Sequence, residues 1–222
     1  MNSPHFKTRT YKILIVDDHP IVRHGMVQLI ASEPDLEICG QASDAGEALD
    51  LIKATHPDLV IVDISLQGVN GIELIKQVKA IDNSIRMLVA SMHDETLFAE
   101  RALRAGAMGY INKEVAGDEV VEAIRQILKG KVYLSARMAD HMLHRVVDGS
   151  EQLTQSSIET LSDRELQVFE LIGKGLSTRE VAKRLHLSPK TVETYREHIK
   201  TKLNLKNSNE LVRHAVKWEL ER

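Results

Sequence analysis

The chain has 222 residues, 43% apolar and 27% charged, a composition typical of a globular protein and a length that allows one large domain or two ordinary ones. Its formal net charge of −3 is unevenly distributed, because residues 161–222 hold 13 Lys and Arg against 9 Asp and Glu, which leaves 16 against 23 for the rest. The lone Cys39 excludes an internal disulfide, and neither an apolar signal sequence nor a run of membrane-spanning length is visible. We therefore expect a cytoplasmic protein of two domains, the second facing a polyanion.

Short apolar runs alternate with helical patterns over the first 130 residues. The predicted strands cover residues 12–16, 36–42, 59–62, 85–91 and 108–111. The predicted helices run from Ile21 to before Pro34, over 45–54, from the Asn70 cap through Val78, over 95–105 and over 117–129. Fully apolar runs of this length are typical of buried parallel strands. Five strand–helix repeats predict an α/β fold, a doubly wound five-stranded parallel sheet.

Polar side chains stand at the ends of four of these strands. In chain order they are Asp17 and Asp18, Asp63, Ser91 and Lys113. In an open α/β sheet, chemistry gathers beyond the carboxyl ends of the strands. Taken singly, each acid is better explained as a cap of a turn or helix. Taken together, three carboxylates, a hydroxyl and an ammonium suit a divalent cation and a phosphoryl group.

A polar stretch separates the strand-rich portion of the chain from a helical one. Ser135 is predicted to cap a helix that runs to about Val146. Residues 148–157 are polar and without period, which predicts a flexible linker. The expected organisation is a domain at 11–130, a helix and linker at 131–157, and a second domain at 158–222.

Four short helices with clear start signals are predicted in the rear domain. The signals are the capping-box pairs Ser162–Glu165 and Ser177–Glu180, the N-cap and first-turn pair Ser188–Pro189, and Asn207 with Glu210. The last helix places Leu211, Ala215 and Trp218 on one face. Short capped helices in succession predict a compact all-α domain.

The third of these helices has one apolar and one polar face. Its inward positions recur at helical spacing, at Val192, Tyr195, Ile199 and Leu203. Its opposite face carries Lys190, Thr191, Thr194 and His198. A recognition helix presents such a face to the major groove of DNA. The flanking cations are assigned to backbone phosphates and are Lys183, Arg184, Lys200 and Lys202.

Two acids on that helix complicate the assignment. Glu193 and Glu197 would repel phosphates unless they accept from a cytosine amine or pair with a neighbouring cation. We expect intrahelical pairing for Glu197 and leave Glu193 open. The alternative for the whole domain is a protein-binding module with a solvated basic face.

The five strand-end residues, at these intervals, resemble those of a response-regulator receiver domain, over about residues 11–130. The resemblance implies that Asp63 accepts a phosphoryl group from a phosphohistidine on a partner sensor kinase, as an aspartyl-phosphate. It also implies a Mg²⁺ held directly by Asp18 and Asp63, through water by Asp17, and by the backbone carbonyl of Ser65.

The same resemblance implies a switch next to the phosphate. Lys113 would pair with the phosphate, Ser91 would donate a hydrogen bond to it, and the space left by Ser91 would admit the Tyr110 ring. Ser65 and His93 occupy positions that tune the lifetime of the phosphate in receivers.

Two residues depart from the receiver pattern. Gln67 and Glu114 stand where many receivers have proline. These departures predict a looser loop after Asp63 and a differently held Lys113.

The rear domain resembles the LuxR-type helix-turn-helix over about residues 161–217. The matching segments are Leu161-Ser162-Asp163-Arg164-Glu165, Gly173-Lys174-Gly175-Leu176-Ser177 and Lys190-Thr191-Val192-Glu193. A receiver followed by this domain characterises the NarL/FixJ family of bacterial transcription regulators. The resemblance implies a non-enzymatic regulator that binds double-stranded DNA and forms a homodimer when phosphorylated, with the last helix as a dimerisation element.

Two rival functions stay open at this point. An aspartyl-phosphate phosphatase or mutase would also use a strand-end aspartate, but it favours a second acid two residues later, where this chain has Ser65. A regulator that no longer uses phosphate is kept open by Gln67 and Glu114.

Overall fold

The computed structural model describes residues 9–114, 117–147 and 157–221. Its contacts divide the chain into two compact units, residues 1–141 and 142–222. Apart from Ser157, the linker predicted at 148–157 lies outside the described residues. Within the described ranges, no helix is both long and apolar enough to cross a bilayer.

A five-stranded sheet forms the centre of the first unit. Its strands are β1 (Tyr11–Val16), β2 (Leu36–Ala42), β3 (Leu59–Val62), β4 (Arg86–Ser91) and β5 (Gly109–Asn112). All neighbouring pairs are parallel, in the order β2-β1-β3-β4-β5. The predicted doubly wound sheet is confirmed. Its order reverses direction between β1 and β3, and ligands of such folds bind beyond the strand ends at that point.

Helices cover both faces of this sheet. They are α1 (Pro20–Ala31), α2 (Ala45–Thr55), α3 (Gly71–Ile81), α4 (Glu95–Ala105) and α5 (Gly117–Leu128). α1 contacts α5, whereas α3 contacts both α2 and α4. Ile13 and Ile15 of β1 pack with Ile30 and Ile124 in one cluster, all four of them fully buried. Burial of the sheet on both faces explains why its strands show no polar alternation.

Side chains fix where helices begin behind the strand ends. Asp44 caps α2, Asn70 caps α3 by accepting from Ile72 N at 2.8 Å, and Asp94 caps α4. The first residue of α3 is Gly71, where a Cβ would lie 2.0 Å from the Asp63 carbonyl oxygen. The start of α3 therefore packs directly on the backbone of Asp63, and only glycine permits that approach.

β5 is an edge strand, and the segment that follows α5 lies along it. Tyr133 N donates to Met108 O at 2.9 Å, and Tyr110 N donates to Tyr133 O at 3.1 Å. α6 (Ala136–Val147) begins just after this segment. Its predicted cap is confirmed, because Ser135 Oγ accepts from Met138 N at 3.1 Å.

The second unit is helical in its described part. A 3₁₀ turn (Ser157–Thr160) precedes α7 (Asp163–Gly173), α8 (Thr178–Arg184), α9 (Pro189–Lys202) and α10 (Ser208–Glu221). Both predicted capping boxes are present, at the starts of α7 and α8. Phe169 is fully buried, and its ring centroid lies 5.3 Å from that of Trp218. The tryptophan thus contributes to the core of the predicted four-helix domain, which is confirmed.

Candidate functional site

Lys113 lies between two carboxylates at the carboxyl edge of the sheet. Its Nζ is 2.7 Å from Asp17 Oδ2 and 2.8 Å from Asp63 Oδ2. The lysine side chain is 4% exposed and the two aspartates are 2% exposed. The groups follow β5, β1 and β3, so the parallel sheet brings together charges that are far apart in sequence. The structure thereby joins three of the predicted site residues in one buried ion pair network.

Asp63 carries a perturbed carboxyl group. Burial raises its pKa, the Lys113 ammonium opposes that rise, and the Asp17 carboxylate adds to it, so that the pKa lies above its ordinary value. Asp63 Oδ1 is also buried and has no hydrogen-bond partner among the described residues. An orphaned buried oxygen of this kind is favourable only if a cation or a donor can reach it.

Asp18 and His19 complete an acidic cluster at this edge. Ligand atoms of Asp17, Asp18, His19 and Asp63 all lie within 4.8 Å of one another. His19 Nδ1 is 2.7 Å from Asp18 Oδ1. The backbone N–H of His19 donates to Asp17 Oδ1 at 2.9 Å. The three carboxylates carry more negative charge than the Lys113 ammonium neutralises. This excess, with the orphaned Asp63 oxygen, fits a hard divalent cation such as Mg²⁺.

Ser91 and Tyr110 lie beside this cluster on β4 and β5. Ser91 is fully buried, and its Oγ accepts from His93 N at 3.2 Å. Lys113 N donates to the Ser91 carbonyl at 3.0 Å, which joins the ends of the two strands. The Tyr110 ring is fully buried, and its hydroxyl donates to the His93 carbonyl at 2.9 Å. Tyr110 therefore occupies an inward position in this structure.

Ser65 and His93, the predicted lifetime-tuning positions, contact each other. Ser65 Oγ and His93 Nε2 are 2.8 Å apart, and the His93 ring packs 4.8 Å from that of Phe98. This hydrogen bond crosses from the loop after β3 to the loop after β4. The sequence pattern identified the two positions but not their contact.

The two departures from the receiver pattern have local partners. Gln67 forms an isolated parallel bridge with Asp44. Glu114 N donates to Asn112 Oδ1 at 2.9 Å, in a turn that leaves Lys113 buried on its carboxylates. Lys113 is thus seated in the cluster with glutamate, rather than proline, next to it.

The predicted base-reading residues lie on α9. Lys190, Thr194 and His198 are exposed, whereas Thr191 is half-buried. Thr191 Oγ1 lies 2.7 Å from the hydroxyl of the helix cap Ser188. Three of the four side chains therefore share an open face, and Thr191 contributes chiefly to the start of the helix.

Two of the lysines predicted to contact DNA phosphates form ion pairs with glutamates. Lys183 on α8, also predicted to contact phosphate, is exposed. Lys200 Nζ is 2.9 Å from Glu197 Oε1, which confirms the pairing expected for Glu197. Lys202 Nζ is 2.6 Å from Glu165 Oε2. Lys202 thus ties the end of α9 to the start of α7.

Glu165 is a residue whose role the sequence showed only in part. Burial alone raises its pKa, but hydrogen bonds from Lys202 and Ser162 outweigh burial and hold the pKa below its ordinary value. His198 Nδ1 also approaches it, at 3.6 Å. The capping-box spacing signals the local bond to Ser162, but no local pattern signals a partner 37 residues away.

Family models match both units. The response regulator receiver domain matches residues 13–125, and the luxR family of bacterial regulatory proteins matches residues 159–215. Oxygen regulatory protein NreC of Staphylococcus haemolyticus is 33% identical over 213 residues, which cover 94% of this chain and 98% of NreC. These matches extend over nearly the whole chain.

Solved structures show the same likeness. A LuxR-family two-component response regulator from Aurantimonas sp. SI85-9A1 is 40% identical, covers 62% of this chain and 99% of its own, and has a TM-score of 0.59. RcsB from Salmonella enterica serovar Typhimurium, bound to promoter rprA in the presence of the phosphomimetic BeF₃⁻, is 22% identical with a TM-score of 0.61. It covers 94% of this chain and 99% of its own, and that likeness is one of fold.

Replacement of Lys113 tests the ion pair network. Lys113→Met is expected to lower the free energy of unfolding of the first unit by about 3–5 kcal/mol in metal-free buffer at pH 7, because it leaves two buried carboxylates without their cation. Urea denaturation measures this loss. Lys53→Met is the matched control, since its exposed ammonium lies 3.9 Å from Asp50 and should contribute less than about 1 kcal/mol. Equal losses in the two variants would contradict the network.

Replacement of Lys202 tests its bond to Glu165. Lys202→Met is expected to lower the free energy of unfolding of the second unit by about 1–3 kcal/mol at pH 7. Because the folded-state pKa of Glu165 is depressed, this contribution is complete above the unfolded-state pKa and is lost as the pH falls through the folded value. Denaturant unfolding at a series of pH values should therefore show the difference shrinking below pH 4.5, the ordinary value. Exposed Lys206 provides the control, and a pH-independent difference would refute the pairing.

Proposed function

The chain belongs to the NarL/FixJ family of two-component response regulators, and we propose that phosphoryl transfer from a partner histidine kinase to Asp63 controls its binding to promoter DNA. It is a DNA-binding transcription regulator rather than an enzyme. The observation that supports the proposal most directly is the buried Lys113 between Asp17 and Asp63, at 2.7 and 2.8 Å. The Lys113 ammonium already lies beside the acceptor carboxylate, so it can form an ion pair with an incoming phosphoryl group.

Asp63 is the proposed nucleophile. One of its carboxylate oxygens forms the bond to phosphorus while the bond from phosphorus to the nitrogen of the kinase histidine breaks, and the imidazole departs. Asp18 and Asp63, the Ser65 carbonyl, and Asp17 through water are the proposed ligands of Mg²⁺, which would supply neutralisation of the phosphoryl oxygens. The orphaned Asp63 Oδ1 supports that assignment.

Two neighbours then respond to the added charge. Lys113 pairs with the phosphate, and Ser91 donates its hydroxyl to a phosphoryl oxygen. To do so, Ser91 turns away from the His93 N–H that its Oγ accepts from in this structure. Tyr110, whose hydroxyl is bonded to the His93 carbonyl, is the proposed reporter of that change.

DNA is read by the exposed face of α9. Lys190, Thr194 and His198 are proposed to enter the major groove, with Thr191 at its edge. The proposed phosphate contacts are Lys183, Arg184, Lys200 and Lys202. The last two would contact phosphate while still paired with their glutamates.

Phosphorylation is further proposed to produce a homodimer that binds paired half-sites about one helical turn apart. The exposed apolar side chains Val212 and Leu220 on α10, 40% and 82% exposed, support that helix as the dimer contact. Because the partner is chromosomal DNA, the proposed location is the cytoplasm.

Asp63→Asn tests the control by phosphate. Wild-type protein treated with Mg²⁺ and phosphoramidate should bind promoter DNA at least about tenfold more tightly than untreated protein, an allosteric coupling of ordinary size. The variant should show one affinity under both conditions, as measured by fluorescence anisotropy. A variant that keeps the phosphodonor response would contradict the assignment of Asp63. We also propose that the unphosphorylated receiver masks α9, and equal affinities of untreated full-length protein and a 150–222 fragment would contradict that masking.

A further inference from the structure

Thr178 and Glu193 join the two helices of the helix-turn-helix. Thr178, the first residue of α8, donates its hydroxyl to Glu193 Oε1 at 2.7 Å. Arg196 Nε lies 3.7 Å from the other oxygen, Oε2. The Glu193 side chain is nevertheless 54% exposed, and it lies one helical turn from exposed Lys190 of the predicted DNA-reading face. Glu193 is thus an oriented and accessible acceptor, where the sequence alone left its role open.

A carboxylate on a DNA-binding face has a narrow range of favourable partners. It repels phosphates and accepts hydrogen bonds only. In the major groove, the cytosine base presents only a donor, its amine. Adenine presents an amine donor next to the acceptor N7, and guanine and thymine present acceptors. Cytosine is therefore the base that matches an acidic side chain.

We propose that Glu193 is a specificity residue that accepts a hydrogen bond from a cytosine amine, in an orientation held by Thr178. This rests on the proposed DNA-reading face of α9. The Thr178 hydroxyl reduces the number of Glu193 rotamers before DNA binds, so less conformational entropy is lost on contact. Arg196 offsets part of the repulsion from nearby phosphates.

Selection from a random duplex library with the phosphodonor-treated full chain tests the proposal. Wild type should enrich a motif with one strongly preferred C·G pair in each half-site. Glu193→Ala should lower that preference about tenfold while it binds random DNA more tightly, and Thr178→Val should weaken the preference at the same position. Glu197→Ala, on the same helix, reports the effect of charge removal alone. A Glu193→Ala motif identical to that of wild type would overturn the proposal.

Lys190→Ala distinguishes failure of the proposed DNA-reading face of α9 from failure of the proposed role of Glu193. If it binds DNA as wild type does, the α9 face is not the interface and the proposed reading mode fails. If it loses affinity while Glu193→Ala keeps the C·G preference, only the role of Glu193 fails.

A second, independent feature connects α4 to the start of α6. Ser135 N donates to Glu95 Oε1 at 3.1 Å, and Ser135 Oγ donates to Glu95 Oε2 at 2.5 Å. The same hydroxyl caps α6 by accepting from Met138 N, and the Met138 side chain is fully buried. Both oxygens of Glu95 thus accept hydrogen bonds from Ser135, the cap of α6.

This contact is close in sequence to the phosphorylation site. Glu95 is the first residue of α4, and Asp94 caps that helix. His93 donates its N–H to Ser91 Oγ and accepts the Tyr110 hydroxyl on its carbonyl. A movement of Ser91 toward a phosphoryl group would break the first of these bonds and free the turn that leads into α4.

The segment before Ser135 is held by the same strand that carries Tyr110. Tyr133 exchanges backbone hydrogen bonds with Met108 and Tyr110, at 2.9 and 3.1 Å. The start of α6 is therefore bound to α4 on one side and to β5 on the other.

We infer that the Glu95–Ser135 pair is a clasp that communicates the state of Asp63 to α6. This rests on the proposed phosphorylation of Asp63. While the site is unmodified, Glu95 fixes the orientation of the Ser135 hydroxyl and the first turn of α6 is capped. Once Ser91 turns to the phosphate, α4 shifts, Glu95 leaves Ser135, and the first turn of α6 opens. Glu95 acts here as a positioning residue.

Hydrogen exchange of the full chain tests the clasp, with intact mass as the check that the phosphoryl group is present. In wild type, phosphoramidate and Mg²⁺ should speed exchange of the amides at 138–140 about fivefold, the effect of losing a helix cap. Glu95→Ala, which removes both acceptors of the Ser135 hydrogen bonds, should exchange fast without phosphate and should not respond to it. Glu100→Ala, which removes an acid paired with Arg104 on the same helix, should behave as wild type.

Two negative results have different meanings. Absence of an adduct on wild type would remove the proposed function on which the clasp rests. A stoichiometric adduct with unchanged exchange at 138–140 would overturn the clasp alone and leave the phosphorylation of Asp63 in place.

Discussion

One buried ammonium, that of Lys113, holds the functional edge of the first unit together. It partly neutralises the charges of two carboxylates, which follow different strands. All three groups are buried, so water does not screen their charges. A buried pair of this kind contributes little net stability compared with apolar packing, but removing one partner is costly. Such an arrangement is sensitive to any new anion, and the proposed phosphoryl group on Asp63 would compete for the same cation.

The strand order of the sheet brings these charged groups together. β1 and β3 are neighbours at the point where the order reverses, so Asp17 and Asp63 are forced together, and β5 returns Lys113 to them from across β4. Because residue 71 is glycine, the start of α3 packs directly on the Asp63 backbone. This contact limits how far Asp63 can move. Ser91 lies on the strand between and leads directly into α4. In the proposed switch, charge added at one carboxylate is therefore converted into a change in the position of the start of α4.

The sequence predicted those parts of the structure that depend on local periodicity. Strand ends, helix caps and the amphipathic face of α9 follow from spacings of two to four residues. The convergence of Asp17, Asp63 and Lys113 was predictable because a parallel sheet places these strand ends at one edge. The pairs Lys202–Glu165, Thr178–Glu193 and Glu95–Ser135 could not be predicted in this way. Their partners are 37, 15 and 40 residues apart, and each depends on how finished helices pack.

Phosphorylation of Asp63 is tested most directly by the intact mass of wild-type and Asp63→Asn protein after incubation with Mg²⁺ and phosphoramidate. Wild type should carry a single phosphoryl adduct that is absent when Mg²⁺ is chelated, and the variant should carry none. An unmodified wild-type protein, or an adduct of equal yield on Asp63→Asn, would contradict the central claim that Asp63 accepts the phosphoryl group.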